Sequence, residues 1–132
     1  MRITADTNVL VRAITGDDPR QSRLAQEALA GAELVALPIP VLCELIWVLS
    51  RGYDIAAADI AAALRRLIAS ATAAANRPAV EAGLAALTAG GDFADGAIAF
   101  EGRALGAERF VSSDRKAVRL LAAQGVAAQL LA

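Results

Sequence analysis

The stretch ITADTNVLVR, residues 3–12, decides the fold class because a strand-like run changes at once into a helical one. Residues 2–6 have the pattern of a short buried strand, and a brief helix is predicted from Val9 to Ile14. Asp6 lies at the junction between them. A carboxylate at the end of a buried strand therefore becomes the first residue that asks for an explanation.

The same alternation of strand and helix continues along the rest of the chain. It leaves no room for hairpins and favours parallel strands with helices on both faces. The predicted fold class is α/β, a three-layer α/β/α sandwich with a short, mostly parallel central sheet. Further strand-like runs lie at 34–37, 109–111 and 126–129, with 71–75 as a weak strand or a loop. The later helices are predicted at about 19–31, 38–50, 56–69, 78–88, 92–106 and 114–123.

Length and composition predict one globular domain spanning residues 1–132. The chain has 132 residues, of which 57% are hydrophobic, so it can bury a core and is not disordered. No linker or repeat is visible. No apolar run reaches the roughly 18 residues of a membrane span, and no export signal is recognisable. We therefore expect a cytoplasmic protein with no membrane partner.

The residue types present limit the possible chemistry. The chain has no histidine and one cysteine, Cys43, which excludes triads built on a histidine base and zinc sites of several cysteines. Carboxylates, arginines, hydroxyls and the backbone remain. With 13 basic and 14 acidic residues, the net charge of −1 gives no support for a nucleic-acid partner unless a metal neutralises some of the acids.

Two aspartates follow predicted strands and two more follow a glycine pair. Asp6 and Asp114 lie at strand ends, where open parallel sheets form their sites, although helix capping would also explain each of them. Asp92 and Asp95 come after Gly90-Gly91. Asp92 is a natural helix cap, whereas Asp95 precedes an apolar stripe and lies one turn from a like charge, a repulsive arrangement unless a cation separates them.

Glu44 stands in the middle of a predicted helix, within VLCELIWV at 41–48. Its helical neighbours are apolar, and a lone glutamate on an apolar face is costly unless it is paired or neutralised. A salt bridge to Arg51 is the simple alternative. Cys43 beside it is interpreted as a small core residue.

Taken together, these acids predict a metal site. In a parallel sheet the positions of Asp6, Glu44, Asp95 and Asp114 can converge at one edge. Converging carboxylates require a hard divalent cation, and all-oxygen ligation favours Mg²⁺, with Mn²⁺ possible. In the absence of histidine, the metal would activate water, and hydrolysis of a phosphodiester is the natural reaction.

The segments that carry these acids resemble the four acidic motifs of the PIN domain, and more narrowly the VapC toxins of bacterial toxin–antitoxin pairs. The matching segments are DTNVLVR at 6–12, PVLCELIWVL at 40–49, GGDFADGAIAF at 90–100 and SSDRKAVRL at 112–120. Two departures are mild: Ser112 stands where threonine is frequent, and Gly96 replaces a usual alanine, which is expected to loosen the first turn that presents Asp95.

The resemblance implies roles for particular residues. Asp6, Glu44, Asp95 and Asp114 match the catalytic, metal-binding acids, and Asp92 matches an acidic neighbour that is either an outer ligand or a cap. The residues placed on the substrate side are Asn8, Arg12, Ser112, Arg115 and Lys116. Of these, Asn8 and Ser112 match polar positions that steady the first and fourth acids.

The resemblance also implies an activity and partners. It points to a metal-dependent endoribonuclease that cuts single-stranded RNA and leaves a 5′-phosphate, to a homodimer, and to inhibition by a cognate VapB-type antitoxin. Two alternatives remain open at this point. One is another Mg²⁺-dependent phosphoesterase or phosphotransferase, and the other is a non-catalytic protein-binding module whose acids serve only as helix caps.

Overall fold

Short parallel strands are separated by one or two helices in the computed structural model, which describes residues 1–132. The α/β fold class with a short parallel sheet is confirmed. The chain forms two compact units, Met1–Asn76 and Arg77–Ala132, which are described in turn. The ends of the predicted helices and of the four predicted strands lie within two residues of those observed.

The first unit contains three strands and four helices. Its strands form one parallel sheet in the order β1-β2-β3, with Ile3 opposite Val35 and Val35 opposite Ala73. The run at 71–75 is thus a strand, although a short one. In chain order the elements are β1 (Arg2–Thr4), α1 (Thr7–Thr15), α2 (Pro19–Gly31), β2 (Leu34–Ala36), α3 (Ile39–Arg51), α4 (Ala57–Ala69) and β3 (Ala73–Ala74).

Local chemistry sets the helix boundaries in this unit. Gly16 ends α1 with a left-handed backbone, φ 65°, which glycine adopts without a Cβ clash. Asp18 then caps α2, its carboxylate accepting the Gln21 N–H at 3.1 Å, and Pro19 occupies the first helical position, where its missing N–H costs nothing. These residues end α1 and start α2 within a short connecting segment.

The second unit contains three helices and two parallel strands. Phe110 pairs with Ala128 and Ser112 with Leu130. The elements are α5 (Arg77–Thr88), α6 (Phe93–Ala104), β4 (Phe110–Ser112), α7 (Arg115–Ala123) and β5 (Ala128–Leu130).

Two glycines allow α5 and α6 to approach each other closely. A Cβ on Gly83 would lie 2.5 Å from the ring of the fully buried Phe93. A Cβ on Gly96 would lie 2.9 Å from the Ala86 Cβ and would collide with the Ala82 carbonyl oxygen. Gly96 is therefore a packing residue, a role that the expected loosening of the helical turn did not include. The helix pair holds the segment that presents Asp95.

No helix in the structure is both long enough and apolar enough to cross a membrane. The single-domain organisation and the cytoplasmic location stay predictions.

Candidate active site

Asp6 follows β1 and occupies the N-cap position of α1, with extended backbone angles of φ −79° and ψ 157°. Its side chain accepts no capping hydrogen bond and is exposed. Helix capping, the simple explanation for this aspartate, therefore does not account for its carboxylate. Both oxygens are free to bind something else.

Thr7, the next residue, was not singled out from the sequence. It is 2% exposed, and its Oγ1 is buried with no hydrogen-bond partner. A buried hydroxyl without a partner is unusual in folded proteins. Only burial reveals this feature, because threonine in a DTN tripeptide gives no signal of its own.

Asn8 and Arg12 line an open concave surface between α1 and α2, and the space that it encloses has a volume of about 610 Å³. Arg12 is oriented by an ion pair, its Nη1 lying 3.2 Å from Asp17 Oδ1. Arg20 lines the same surface and adds a second cation that sequence reasoning did not identify. No hydrogen bond joins Asn8 to Asp6, so the structure gives no support to the expectation that Asn8 steadies the first acid.

Glu44 lies on the exposed side of α3, so the expected cost of a lone glutamate on an apolar face does not arise. The core face of α3 is formed by other residues, and Glu44 points away from it because its position is offset from theirs around the helix. The salt bridge to Arg51 does not form, and Glu44 has no hydrogen bond. Its carboxylate, like that of Asp6, is unpaired.

Asp92 and Asp114 are both helix caps. Asp92 accepts the Ala94 N–H at 3.1 Å at the start of α6, and Asp114 accepts the Ala117 N–H at 3.1 Å at the start of α7. Ser112 Oγ accepts the Asp114 N–H at 3.0 Å, which agrees with its expected role in steadying the fourth acid. Each cap occupies one carboxylate oxygen and leaves the other available.

Asp95 is half-buried in the first turn of α6 and forms no hydrogen bond. Partial burial raises the pKa of the Asp95 carboxyl above its ordinary value, and the nearby Asp92 and Asp114 carboxylates raise it further. The second unit thus brings Asp92 and Asp114 within electrostatic reach of Asp95. A bound cation would relieve this repulsion.

Arg115 and Lys116 lie exposed in the first turn of α7, directly after Asp114. Cations are unfavourable at a helix N-terminus, where the backbone N–H groups already carry positive potential. The Asp114 carboxylate, which accepts the Ala117 N–H, offsets part of this positive potential. Neither side chain has an ion-pair partner.

Residues 3–122 match the family model of the PIN domain. The chain belongs to the PIN domain family. The matched segment includes every predicted acid and every predicted substrate-side residue of this PIN domain. PIN domains are in general nucleases that bind nucleic acid and use divalent metal ions. A comparison with curated proteins gave no match.

The donor chemistry of this PIN domain fits a hard divalent cation. Asp6, Glu44 and Asp95 carry carboxylates with no hydrogen bond, and all the candidate donors are oxygens, which is the ligand type that Mg²⁺ and Mn²⁺ prefer. Within neither unit, however, do three or more Asp, Glu or Cys side chains form a ready-made metal-binding group. The assignment of ligands therefore remains a prediction.

Proposed function

We propose that this PIN domain is a Mg²⁺-dependent endoribonuclease and the toxin of a VapBC-type toxin–antitoxin pair. The family match over residues 3–122 carries the proposal, because the matched segment contains all four acids expected of the family. The unpaired carboxylates of Asp6, Glu44 and Asp95 support it, since unpaired acids are available to a cation.

In this proposal Asp6, Glu44, Asp95 and Asp114 hold the cation. When bound there, Mg²⁺ or Mn²⁺ would provide the acidity needed to activate water and the positive charge needed to stabilise the leaving oxygen. Asp92 fixes the first turn of α6 through its capping bond, which orients Asp95. Ser112 orients Asp114 in a similar way, because its Oγ accepts the Asp114 backbone N–H.

The substrate side is assigned to polar and basic residues near these acids in sequence. Arg12, held by Asp17, and Asn8 offer donors on the concave surface between α1 and α2. Arg115 and Lys116 offer unpaired cations at the start of α7. Such residues contact the phosphate backbone and give affinity without reading the sequence of the RNA. An RNA substrate, a VapB-type antitoxin and a homodimer belong to this proposal.

Cleavage of single-stranded RNA tests the proposal directly. Purified protein should cut RNA with Mg²⁺, stop cutting in EDTA, and leave a 5′-phosphate on the product. Asp6→Asn and Asp95→Asn should each lower the rate by at least about a hundredfold, because each removes a proposed ligand. Asp59→Asn, on an exposed position of α4, is the control that should cut normally. Full activity in Asp6→Asn or Asp95→Asn would refute the residue assignment.

A non-catalytic binding module is the second candidate, and one observation favours it. Asp92 and Asp114 already serve as helix caps, and neither unit contains a preformed group of three metal ligands. Calorimetric titration distinguishes the two functions. Heat of Mg²⁺ binding that disappears in Asp95→Asn supports the nuclease, whereas no binding of Mg²⁺ or Mn²⁺ supports the module.

A further inference from the structure

Helix α3 has a complete core face that does not include its tryptophan. Leu42, Leu45 and Leu49 are at most 1% exposed, whereas Trp47 is 63% exposed. Trp47 is the one tryptophan of the chain. Because the core of α3 is filled without it, the large indole is held on the surface with most of its area in water.

Trp47 shares its face of α3 with two charged residues. Glu44 lies one helical turn before it and Arg51 one turn after it, at spacings that place side chains side by side. All three are exposed, and Arg51 has no ion pair and no hydrogen bond. This face therefore presents a flat aromatic surface with an unpaired carboxylate one turn before it and an unpaired cation one turn after it.

An aromatic surface next to a free cation fits one nucleotide of a single strand. Nucleobases stack on aromatic side chains with little regard to sequence, and an arginine pairs with the adjoining phosphate. A duplex does not fit equally well, since its bases are already stacked on one another. Glu44, one turn away, is one of the proposed cation ligands.

We propose that Trp47 stacks against a base of the single-stranded RNA substrate while Arg51 pairs with a neighbouring phosphate. This inference rests on the proposed function, since it gives that nuclease a binding subsite one turn from Glu44. Stacking at Trp47 positions the chain of nucleotides along α3. Trp47 acts in binding and takes no part in bond breaking.

Trp47 itself reports the stacking, because it is the sole source of tryptophan fluorescence. A short single-stranded RNA is added to the protein in EDTA, where binding is measured without cleavage. The single-stranded RNA should quench the Trp47 emission in a saturable manner, and a duplex of the same sequence should quench this emission less. Arg51→Ala should weaken the binding and Arg51→Lys should retain most of it, since the contact is to phosphate.

Steady-state cleavage separates binding from chemistry. Trp47→Ala should raise KM by about 5- to 150-fold, the range that loss of one base–aromatic stack produces. The value of kcat should change little, because an interaction made equally in bound substrate and transition state affects KM alone. Trp47→Phe should recover most of the affinity. Leu105→Ala, which alters a residue 89% exposed, is the matched surface control.

Each remaining outcome has a distinct meaning. RNA that is cleaved without quenching, or an unchanged KM in Trp47→Ala, overturns the stacking proposal and leaves the nuclease intact. Blue-shifted emission that changes on dilution overturns it too, because Trp47 then lies between copies of the chain. Saturable quenching with no metal-dependent cleavage supports stacking and refutes the proposed nuclease.

Discussion

Three aspartates at helix starts differ in what their carboxylates bind. Asp92 and Asp114 accept backbone N–H groups, but Asp6 occupies the same kind of position and accepts none. The sequence offered capping as an explanation for Asp6, Asp92 and Asp114. Only the orientation of each side chain distinguishes the two caps from the free carboxylate, which is why Asp6 is a stronger candidate ligand than an aspartate whose oxygen already accepts a backbone N–H.

Thr7 supplies a prediction about a buried hydroxyl next to Asp6. Its Oγ1 has no partner, so replacing the hydroxyl by a methyl group removes a desolvated polar atom without opening a cavity. Thr7→Val should therefore leave stability unchanged or raise it by up to about 1–2 kcal/mol in urea unfolding.

Thr7→Ser is the matched control for this position, since it keeps the hydroxyl and loses the methyl group. It should be less stable than the wild type, because it leaves a small cavity. A Thr7→Val protein clearly less stable than the wild type would show that the hydroxyl has a stabilising partner after all.

Asp17 supplies a prediction about pH. The Tyr53 hydroxyl, 2.7 Å from Asp17 Oδ2, holds the pKa of that carboxyl below its ordinary value, and bonds from Thr15 and Arg12 add to this effect. Ionised Asp17 is thus favoured in the folded state. Its contribution to stability is full above the unfolded-state pKa of about 3.9 and is lost as the pH falls through the lower folded-state pKa.

Tyr53→Phe tests that sign, because it removes the principal donor to Asp17. The variant should be less stable than the wild type at neutral pH, and the difference should shrink in acid well below a pH of about 3.9. Urea unfolding at both pH values measures it. A stability difference that stays the same in acid would contradict the role given to the ionised carboxylate.

At the scale of elements, the packing of α5 on α6 holds the segment that presents Asp95. The two helices approach closely at Gly83 and Gly96, and a side chain at either glycine would meet a ring or a carbonyl oxygen. Helix propensity alone would favour alanine at these positions. Close packing has overridden it here, because no space remains for a methyl group.

Two glycines of α6 form a matched pair of substitutions. Gly96→Ala should destabilise the protein by about 1–3 kcal/mol, since overpacking outweighs the better helix propensity of alanine. Gly102→Ala should stabilise it by about 0.5–1 kcal/mol, because the new Cβ would meet only the Ala107 Cβ at 4.0 Å. Thermal unfolding of both variants checks the contrast. Equal effects would show that α6 has no close contact at Gly96.

At the scale of the whole molecule, accumulated negative charge should make stability depend on the metal. A ligand that binds only the folded state at a hundred times its Kd adds about 2.7 kcal/mol. Mg²⁺ should therefore raise the Tm of the wild type and leave Asp6→Asn and Asp95→Asn nearly unaffected, while Asp59→Asn responds like the wild type. Differential scanning fluorimetry measures all four proteins.

Differential scanning fluorimetry in EDTA tests a second prediction, which concerns the protein without metal. Burial and the acidic neighbours raise the pKa of Asp95 in the folded state. Ionisation of Asp95 therefore lowers the free energy of unfolding as the pH rises from the unfolded-state pKa through the higher folded-state pKa. Asp95→Asn should then be more stable than the wild type at neutral pH without metal. A less stable variant would show that repulsion around Asp95 is not the dominant effect there.

The sequence by itself determined the alternation of strands and helices and the acids at their ends. Both follow from local rules: the apolar period selects helix or strand, and proline, glycine and aspartate mark the boundaries. Those rules placed every predicted helix within two residues of its observed ends. They also selected the carboxylates as the groups capable of chemistry in a chain without histidine.

Tertiary structure alone decided which face each side chain occupies. Glu44 is exposed although its sequence neighbours are apolar, and Thr7 is buried although it is polar. Gly96 is a packing residue, although from the sequence it is expected to loosen a helical turn. Burial depends on residues distant in the chain that pack from other elements, and no local period encodes them. For that reason the sequence identified the candidate acids, whereas only the folded chain shows which of their carboxylate oxygens accept hydrogen bonds and which do not.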